Sequence, residues 1–205
     1  MSNMIKNYIF DFGNVLARFN PDELTAIYID DPDDRRIVSD TVFDRLYWDR
    51  LDDGSITDDE VKSGFCSRLP EKLHEGAIKV YDSWIDLKIP IDGMRELVSD
   101  IKRQGGGLYL LSNISIGFAE NYHKNKWVSE LFSLFDGLVF SGPLGIVKPD
   151  KEIFMHLLNK YNLNKEECIF IDDSPKNIAG AESVGIKGYL FDGNAETLRE
   201  FLNIK

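Results

Sequence analysis

The sequence predicts an α/β protein with a mostly parallel sheet. Five short apolar runs end in small or acidic residues: YIFDF (8–12), LYLLSN (108–113), LVFSG (138–142), IFIDDS (169–174) and GYLF (188–191). Continuous apolar runs bounded by turn residues are typical of strands buried on both faces of a parallel sheet. Helical patterns separate most of these runs, and an alternation of strands and helices indicates parallel pairing.

Three of the intervening segments have clear helical signals. The apolar residues of segment 91–107 recur at helical spacing, and Gly105 suits the end of that helix. Segment 148–161 presents one apolar face, and Pro149 sits near its first turn. Segment 175–185 runs from a proline to a glycine, which is the usual polarity of a helix.

Residues 20–88 interrupt the alternation because they contain no convincing strand pattern. Thr57 and Glu60 have the spacing of a capping box and precede an apolar helical face. The segment EKLHEGAIKVYDSWIDL (71–87) carries apolar residues at helical intervals, namely Leu73, Ala77, Val80, Tyr81, Trp84 and Leu87. The sequence therefore predicts an all-helical insert of three to five helices after the first strand.

Composition excludes several classes of function. The 205 residues carry a net charge of −11, with 43% hydrophobic and 29% charged residues. A packed domain is expected, and its acidity argues against binding to nucleic acid or to anionic membranes. No run approaches the length of a membrane span, and MSNMIKNYIF lacks the apolar core of a signal peptide, so a cytoplasmic location is expected. Two cysteines, Cys66 and Cys168, are too few for a disulfide framework and are expected to be core residues.

Polar residues follow four of the predicted strands. In an open parallel sheet, ligands bind beyond the carboxyl ends of the strands, so these residues are expected to converge. They are Asp11 after the first strand, Ser112 and Asn113 after the second, Lys148 a short loop beyond the third, and Asp172 and Asp173 after the fourth.

The chemistry of this set is that of phosphoryl transfer. Three clustered carboxylates repel one another, and Mg²⁺, a hard cation that prefers oxygen ligands, would remove that conflict. One lysine and one hydroxyl remain to hold an anion, and a strand-end carboxylate can attack phosphorus to form an acyl-phosphate. Each element alone is weak, because a lone acid or Ser–Asn pair after a strand is usually a turn or cap residue. The adjacent acids Asp172 and Asp173 are harder to explain as turn residues, since a buried strand end makes them costly unless they are paired.

At these residues the chain resembles the haloacid dehalogenase superfamily. DFGNVL, LLSN, the lysine of GIVKPD and FIDDSPKNI are similar to its four motifs in order, and the insert matches its helical cap. The resemblance implies a Rossmann-like three-layer core (1–19 and 89–205) with a cap (20–88). It implies a hydrolase of the phosphatase branch, acting on a small phosphorylated metabolite, and it leaves the oligomeric state open.

The resemblance also implies roles for individual residues. Asp11 would be the nucleophile, and Lys148 would balance its charge and that of the phosphate. Ser112 would bind the phosphate, with Asn113 beside it as a further candidate for substrate binding. Mg²⁺ would be held by Asp11, the backbone carbonyl of Gly13, and the acids Asp172 and Asp173.

Gly13 departs from the phosphatase pattern, which places a second aspartate two residues after the nucleophile. That aspartate protonates the leaving oxygen and then activates water. Three consequences are open: the enzyme is not a phosphatase, it takes an acid from elsewhere, or its substrate has a good leaving group. The chain resembles bacterial α-D-glucose-1-phosphate phosphatases, which have the same glycine, and the phosphatase domain of mammalian soluble epoxide hydrolase, which keeps both acids. The last option fits the first of these, and it predicts faster turnover of anomeric or aryl phosphates than of alkyl phosphates.

Two other functions compete with a Mg²⁺-dependent phosphatase. A metal-free haloacid dehalogenase would also lack the second aspartate, although that branch lacks the paired acids as well. A binding protein on the same scaffold would have no need for the retained charged groups. Within the cap, Tyr47, Trp48 and Arg50 are candidates to contact a sugar, although the first two also suit the cap core. Asn177 is a candidate to orient Lys148 or a metal-binding acid.

Overall fold

The computed structural model describes residues 4–84 and 89–205. Its main sheet has five parallel strands in the order β5-β4-β1-β6-β7. Their bounds are β1 Asn7–Phe10, β4 Gly107–Ser112, β5 Gly137–Phe140, β6 Cys168–Asp172 and β7 Lys187–Leu190. Each of the five predicted runs forms one of these strands, and the predicted α/β fold class is confirmed.

The first strand in sequence lies in the centre of the sheet. Phe10, its last residue, pairs with Leu110 of β4 on one side and with Ile171 of β6 on the other. The residues that follow β1, β4 and β6 consequently emerge side by side at one edge. This arrangement brings together positions that are about 160 residues apart in the sequence.

The sheet separates two helical layers because successive β1 side chains point to opposite faces. Ile9 packs in one core with helices α9 and α10, whereas Tyr8 and Phe10 pack in another with α6, α7, α8 and α11. The helices are α6 Met94–Arg103, α7 Ile116–Asn121, α8 Lys126–Phe132, α9 Lys151–Lys160, α10 Pro175–Ser183 and α11 Ala195–Leu202.

The chain between β1 and β4 contributes five further helices: α1 Pro21–Ala26, α2 Pro32–Val42, α3 Arg45–Asp52, α4 Asp58–Arg68 and α5 His74–Ser83. Helices α2 to α5 share their own apolar core, which includes Val38, Tyr47, Phe65 and Val80, whereas Leu24 of α1 packs in the core of the sheet. Thr57 and Glu60 form the expected capping box at the start of α4. Leu87, which was expected to continue the apolar face of α5, lies outside the described residues.

Several details differ from the sequence prediction. A short antiparallel pair, β2 Ala17–Arg18 with β3 Ile89–Pro90, joins the two ends of the helical segment. Helix α9 begins at Lys151, two residues after Pro149. Cys168 is buried as expected, but Cys66 is only partly buried. Across the parts of the chain that are described, no helix is both long and apolar enough to cross a membrane.

Candidate active site

Asp11 stands immediately beyond β1, at the centre of the sheet edge. Its amide continues the sheet by donating to the carbonyl of Ile171 at 2.9 Å, which fixes the backbone of the residue. The side chain is largely buried, with the whole residue 8% exposed. The Phe12 amide donates to Oδ1 of Asp11 at 2.7 Å, so one carboxylate oxygen is held by the chain that follows it.

Lys148 places its ammonium group between two carboxylates. Its Nζ atom lies 2.8 Å from Oδ1 of Asp11 and 2.8 Å from Oδ2 of Asp172. The backbone of Lys148 is fixed by Asn113, whose side-chain amide donates to its carbonyl at 3.0 Å and whose Oδ1 accepts from its amide at 2.8 Å. The Asn113 side chain is thus engaged in positioning the lysine.

The two acids after β6 have different surroundings. Asp172 is fully buried, and its carboxylate accepts from the Ser174 amide at 2.8 Å and from Nδ2 of Asn177 at 3.1 Å to each oxygen. Asp173 is exposed to solvent. Asn177 therefore contacts the buried acid directly, and not Lys148.

Asp11, Asp172 and Asp173 form a cluster in which one oxygen atom of each lies within 4.8 Å of the others. Burial raises the pKa of Asp11 to about 6; Lys148 opposes that shift, and the charge of Asp172 adds to it. Burial, and then the charge of Asp172, also raise the pKa of Asp173. Clustered carboxylate oxygens whose ionisation is mutually disfavoured are a donor set that suits a hard divalent cation such as Mg²⁺.

Gly13 and Ser112 flank this cluster. Ser112 is the last residue of β4 and is 2% exposed. A Cβ atom built on Gly13 would have no atom within 4 Å, and the backbone there is outside the left-handed region. The site thus has room for a side chain at position 13, but the sequence supplies none.

A cavity of about 540 Å³ lies above these residues. Its floor contains Asp11, Gly13, Ser112, Lys148 and Asp173, and one wall is aromatic, formed by Phe19, Phe43, Trp48 and Trp84. The rings of Trp48 and Trp84 are 5.2 Å apart in an edge-to-face arrangement. A larger hollow of about 780 Å³ lies at the opposite end of the sheet, but none of the strand-end carboxylates lines it.

The helical segment supplies two charged residues to the cavity that the sequence did not single out. These are Arg45 and Asp52, at the two ends of α3. Of the three cap residues that the sequence did suggest, only Trp48 lines the cavity. Tyr47 is buried in the core of the helical segment, and Arg50 is exposed and donates to the Ser55 carbonyl at 3.3 Å.

The pKa of Asp52 is unusually high for an aspartate at the end of a helix. Burial raises its pKa to about 7; the charge of Arg45 opposes this shift and that of Asp11 adds to it. Asp53 alone closes the following turn, by accepting from the Ser55 amide at 2.8 Å. A second acid beside it has no local function in the turn.

The family comparison agrees with this geometry. The model of the hydrolase family described as haloacid dehalogenase-like hydrolase matches residues 5–185, which includes every strand-end residue discussed above. The chain belongs to this family. It is therefore a hydrolase.

Relatives and solved structures of this haloacid dehalogenase-like hydrolase cover nearly its whole length. It is 28% identical to the sesquiterpene phosphatase astK of Aspergillus oryzae, over 98% of this chain and 96% of the relative. It is 25% identical to a D-ribitol-5-phosphate phosphatase of Bacteroides thetaiotaomicron, over 96% and 97%.

Two solved structures show the same fold. One is a haloacid dehalogenase family enzyme, bt-2542 of Bacteroides thetaiotaomicron, in complex with magnesium and inorganic phosphate (TM-score 0.65, 22% identity, 93% and 96% coverage). The other is a dehalogenase with an intermediate complex (TM-score 0.76, 15% identity, complete coverage of both chains). At these identities the two structures show a shared fold only.

Proposed function

We propose that the protein is a Mg²⁺-dependent phosphatase that hydrolyses a small phosphorylated metabolite through an aspartyl-phosphate. The observation that carries the proposal is the cluster of Asp11, Asp172 and Asp173 around Lys148. Three carboxylates held together at the end of a parallel sheet are suited to a metal ion, and the lysine supplies a fixed positive charge beside the nucleophile.

In this proposal Asp11, Asp172, Asp173 and the Gly13 carbonyl hold Mg²⁺, which supplies charge neutralisation for the phosphoryl group when bound. Oδ1 of Asp11 is engaged by Lys148 and by the Phe12 amide, so Oδ2 is the oxygen left to attack phosphorus. Ser112 donates its hydroxyl to a phosphate oxygen. Lys148 stabilises the negative charge that the nucleophile and phosphoryl group share.

Asn113 acts in this scheme through Lys148. Its side-chain amide is committed to both backbone groups of the lysine, so its part in substrate binding is to position the ammonium group. Residues 1–19 and 89–205 form the catalytic core, and residues 20–88 form the cap that covers the cavity and excludes water.

The cavity wall indicates the organic part of the substrate. Phe19, Phe43, Trp48 and Trp84 face the phosphate site across the cavity, and aromatic faces bind apolar chains as well as the apolar faces of sugars. The two relatives are named for a sesquiterpene and for a sugar alcohol phosphate. A sugar phosphate such as a sugar 1-phosphate, or a prenyl phosphate, is the substrate class that we propose.

The competing function is a metal-independent dehalogenase. Its fold is shared, but a metal-free site has no use for two adjacent acids after β6, and their mutual repulsion would only destabilise it. A catalytically weak binding protein is disfavoured because it too would have no use for two adjacent acids that repel each other.

One experiment separates these functions: release of phosphate from 4-nitrophenyl phosphate, with Mg²⁺ or with EDTA, by the wild type and by Asp11→Asn. We expect activity only with Mg²⁺, and a loss of about 10³-fold or more in the variant. Activity that survives EDTA or Asp11→Asn would refute the mechanism. Release of halide from a 2-haloacid in EDTA would favour the dehalogenase.

A further inference from the structure

The proposed phosphatase needs a proton donor that the sheet edge does not provide. Transfer of the phosphoryl group to Asp11 breaks the bond between phosphorus and the ester oxygen, which must then take up a proton unless it is a good leaving group. Gly13 has no proton to donate. A donor must therefore come from another part of the cavity wall.

We propose that Asp52 is the general acid and base of the reaction, supplied by the helical segment in place of a side chain at position 13. Its carboxyl group donates a proton to the ester oxygen as the bond to phosphorus breaks and Oδ2 of Asp11 takes the phosphoryl group. The resulting Asp52 carboxylate then removes a proton from the water that attacks the aspartyl-phosphate, which releases phosphate and restores both residues. This inference rests on the proposed phosphatase function.

The location of Asp52 supports the role. It lines the same cavity as Asp11, Gly13 and Lys148, and it comes from the element that faces the sheet edge. Its side chain is half-buried, and among residues 4–84 and 89–205 it makes no hydrogen bond or ion pair. The carboxyl group is accordingly free to contact a bound ester oxygen.

The backbone of Asp52 is anchored to the core of the protein. Its carbonyl accepts from the Ser141 hydroxyl at 2.6 Å, and the same hydroxyl oxygen accepts from the Ile114 amide at 2.8 Å. Ser141 and Ile114 follow β5 and β4; β4 pairs directly with β1, which carries the nucleophile at its end, and β5 pairs with the other side of β4. The hydrogen bonds through Ser141 fix the position of Asp52 relative to the sheet edge. A general acid needs such a fixed position to protonate the ester oxygen of a bound substrate.

The next turn strengthens this anchor. Gly54 has a φ of +73°, and a Cβ atom there would lie 2.3 Å from the carbonyl oxygen of Gly142. The backbones of the two segments therefore touch directly. Asp53 closes the turn through its bond to the Ser55 amide, so Asp52 is the acid of the pair that faces the cavity.

The electrostatics of the site favour the protonated form of Asp52 near neutral pH. Burial contributes most to the rise in its pKa to about 7, and the charges of Asp11 and Asp49 add to it. Arg45 and Lys148 act in the opposite direction without cancelling the rise. A bound phosphate is anionic and acts in the same direction as Asp11, whereas a bound Mg²⁺ acts in the opposite direction. A group that titrates near the working pH can both donate and accept a proton.

The test compares two substrates of the same shape, phenyl phosphate and 4-nitrophenyl phosphate, whose leaving groups differ in basicity. In Asp52→Asn, we expect kcat/KM for phenyl phosphate to fall by about 10²-fold or more, because this parameter reports the steps up to release of the leaving group, and that leaving group needs a proton. For 4-nitrophenyl phosphate we expect a fall of less than about tenfold, which also shows that the variant is folded. Asp40→Asn, which changes an exposed acid of α2 outside the cavity, should leave both rates unchanged.

A second variant adds the acid at the position where the family pattern has it. Gly13 has space for a side chain, so Gly13→Asp in the Asp52→Asn background should restore turnover of phenyl phosphate. The proposal is overturned if Asp52→Asn lowers kcat/KM for both substrates by the same factor, or lowers it for neither. If Asp11→Asn is inactive in the same assays, only this inference fails; an active Asp11→Asn would defeat the proposed function itself.

Discussion

The ammonium nitrogen of Lys148 lies 2.8 Å from Oδ1 of Asp11, and the lysine side chain is 1% exposed. A buried lysine is costly unless it is paired, and here two carboxylates compensate it. The pair therefore serves stability and chemistry together. It keeps the carboxylate ionised despite its burial and holds it in one orientation beside the cavity.

Replacing Lys148 should destabilise the protein, because the lysine offsets the repulsion between the carboxylates of Asp11 and Asp172. Lys148→Met leaves Asp11 and Asp172 buried without their shared cation, so we expect a loss of about 3–5 kcal/mol in the free energy of unfolding at neutral pH. Added Mg²⁺ should recover more stability in the variant than in the wild type. Urea denaturation with and without MgCl₂ measures both effects, with the exposed Lys151→Met as the control. A variant as stable as the wild type would show that the pair makes no net contribution.

Asn177 should affect metal affinity more than folding. Its amide donates to both oxygens of Asp172 at 3.1 Å, and loss of such a bond weakens metal binding by about 10–100-fold. When phosphatase activity of Asn177→Ala is measured against Mg²⁺ concentration, the half-saturating concentration should rise by this factor. The rate at saturating Mg²⁺ should be similar to that of the wild type. Asn159→Ala, an exposed helical asparagine, should show none. An unchanged midpoint in Asn177→Ala would argue against Asp172 as a metal ligand.

The pH dependence of phenyl phosphate hydrolysis should have an alkaline limb set by Asp52. Its folded pKa is raised to about 7, so the protonated acid is present below that pH and is lost as pH rises through it. The rate should consequently fall about tenfold per pH unit well above neutrality. If Asp52→Asn shows the same fall in rate above neutral pH, the fall belongs to another titrating group. A fall that disappears in the variant would agree with the proposed acid.

Gly54→Ala should damage catalysis and stability together. The added Cβ atom would meet the Gly142 carbonyl oxygen at 2.3 Å, and the left-handed backbone adds strain, so a cost of about 1–3 kcal/mol is expected. The displaced turn should also lower kcat for phenyl phosphate. Gly105→Ala is a matched control, since Gly105 has a φ of +82° but an added Cβ atom there would have no neighbour within 4 Å. Thermal melts and kcat for phenyl phosphate should be measured for both variants. An equal effect of Gly54→Ala and Gly105→Ala on kcat would mean that the turn does not position Asp52.

Trp48→Ala should separate binding of the organic group from binding of phosphate. Removing this part of the aromatic wall should raise KM for aryl phosphates about tenfold, which corresponds to about 1.4 kcal/mol. Inhibition by inorganic phosphate should not change, because the proposed phosphate-binding groups, Lys148 and Ser112, come from the sheet edge and not from α3. The exposed Leu46→Ala in the same helix is the control. A parallel loss of phosphate inhibition would indicate a collapse of the site.

The sequence was sufficient to predict the five strands and the clustering of their terminal residues. Strands buried on both faces carry an apolar pattern, and the polar residue after each strand marks the edge where the chain emerges. Asp11 and Asp172 could be predicted to lie together because parallel topology leaves few alternatives. The antiparallel pair of Ala17 and Pro90 was missed, since a strand of two residues has no periodicity to detect.

The contribution of the helical segment could not be predicted in the same way. Trp48 and Tyr47 are adjacent aromatic residues, yet one lines the cavity and the other is buried in the helical core. Which of them faces the site depends on how the helices sit on the sheet, and the local pattern does not encode that placement. Asp52 was missed for the same reason, because its environment is formed partly by Asp11 and Lys148 from the other side of the cavity.

The open volume beside Gly13 has a consequence for inhibitor selectivity. An enzyme with a carboxylate at the corresponding position fills that space, whereas here a Cβ atom would meet nothing within 4 Å. A phosphate analogue with a small substituent directed toward Gly13 would fit this protein and would collide with a side chain in such enzymes. The glycine that removes one catalytic group thereby allows small molecules to distinguish this hydrolase from enzymes that carry a carboxylate at that position.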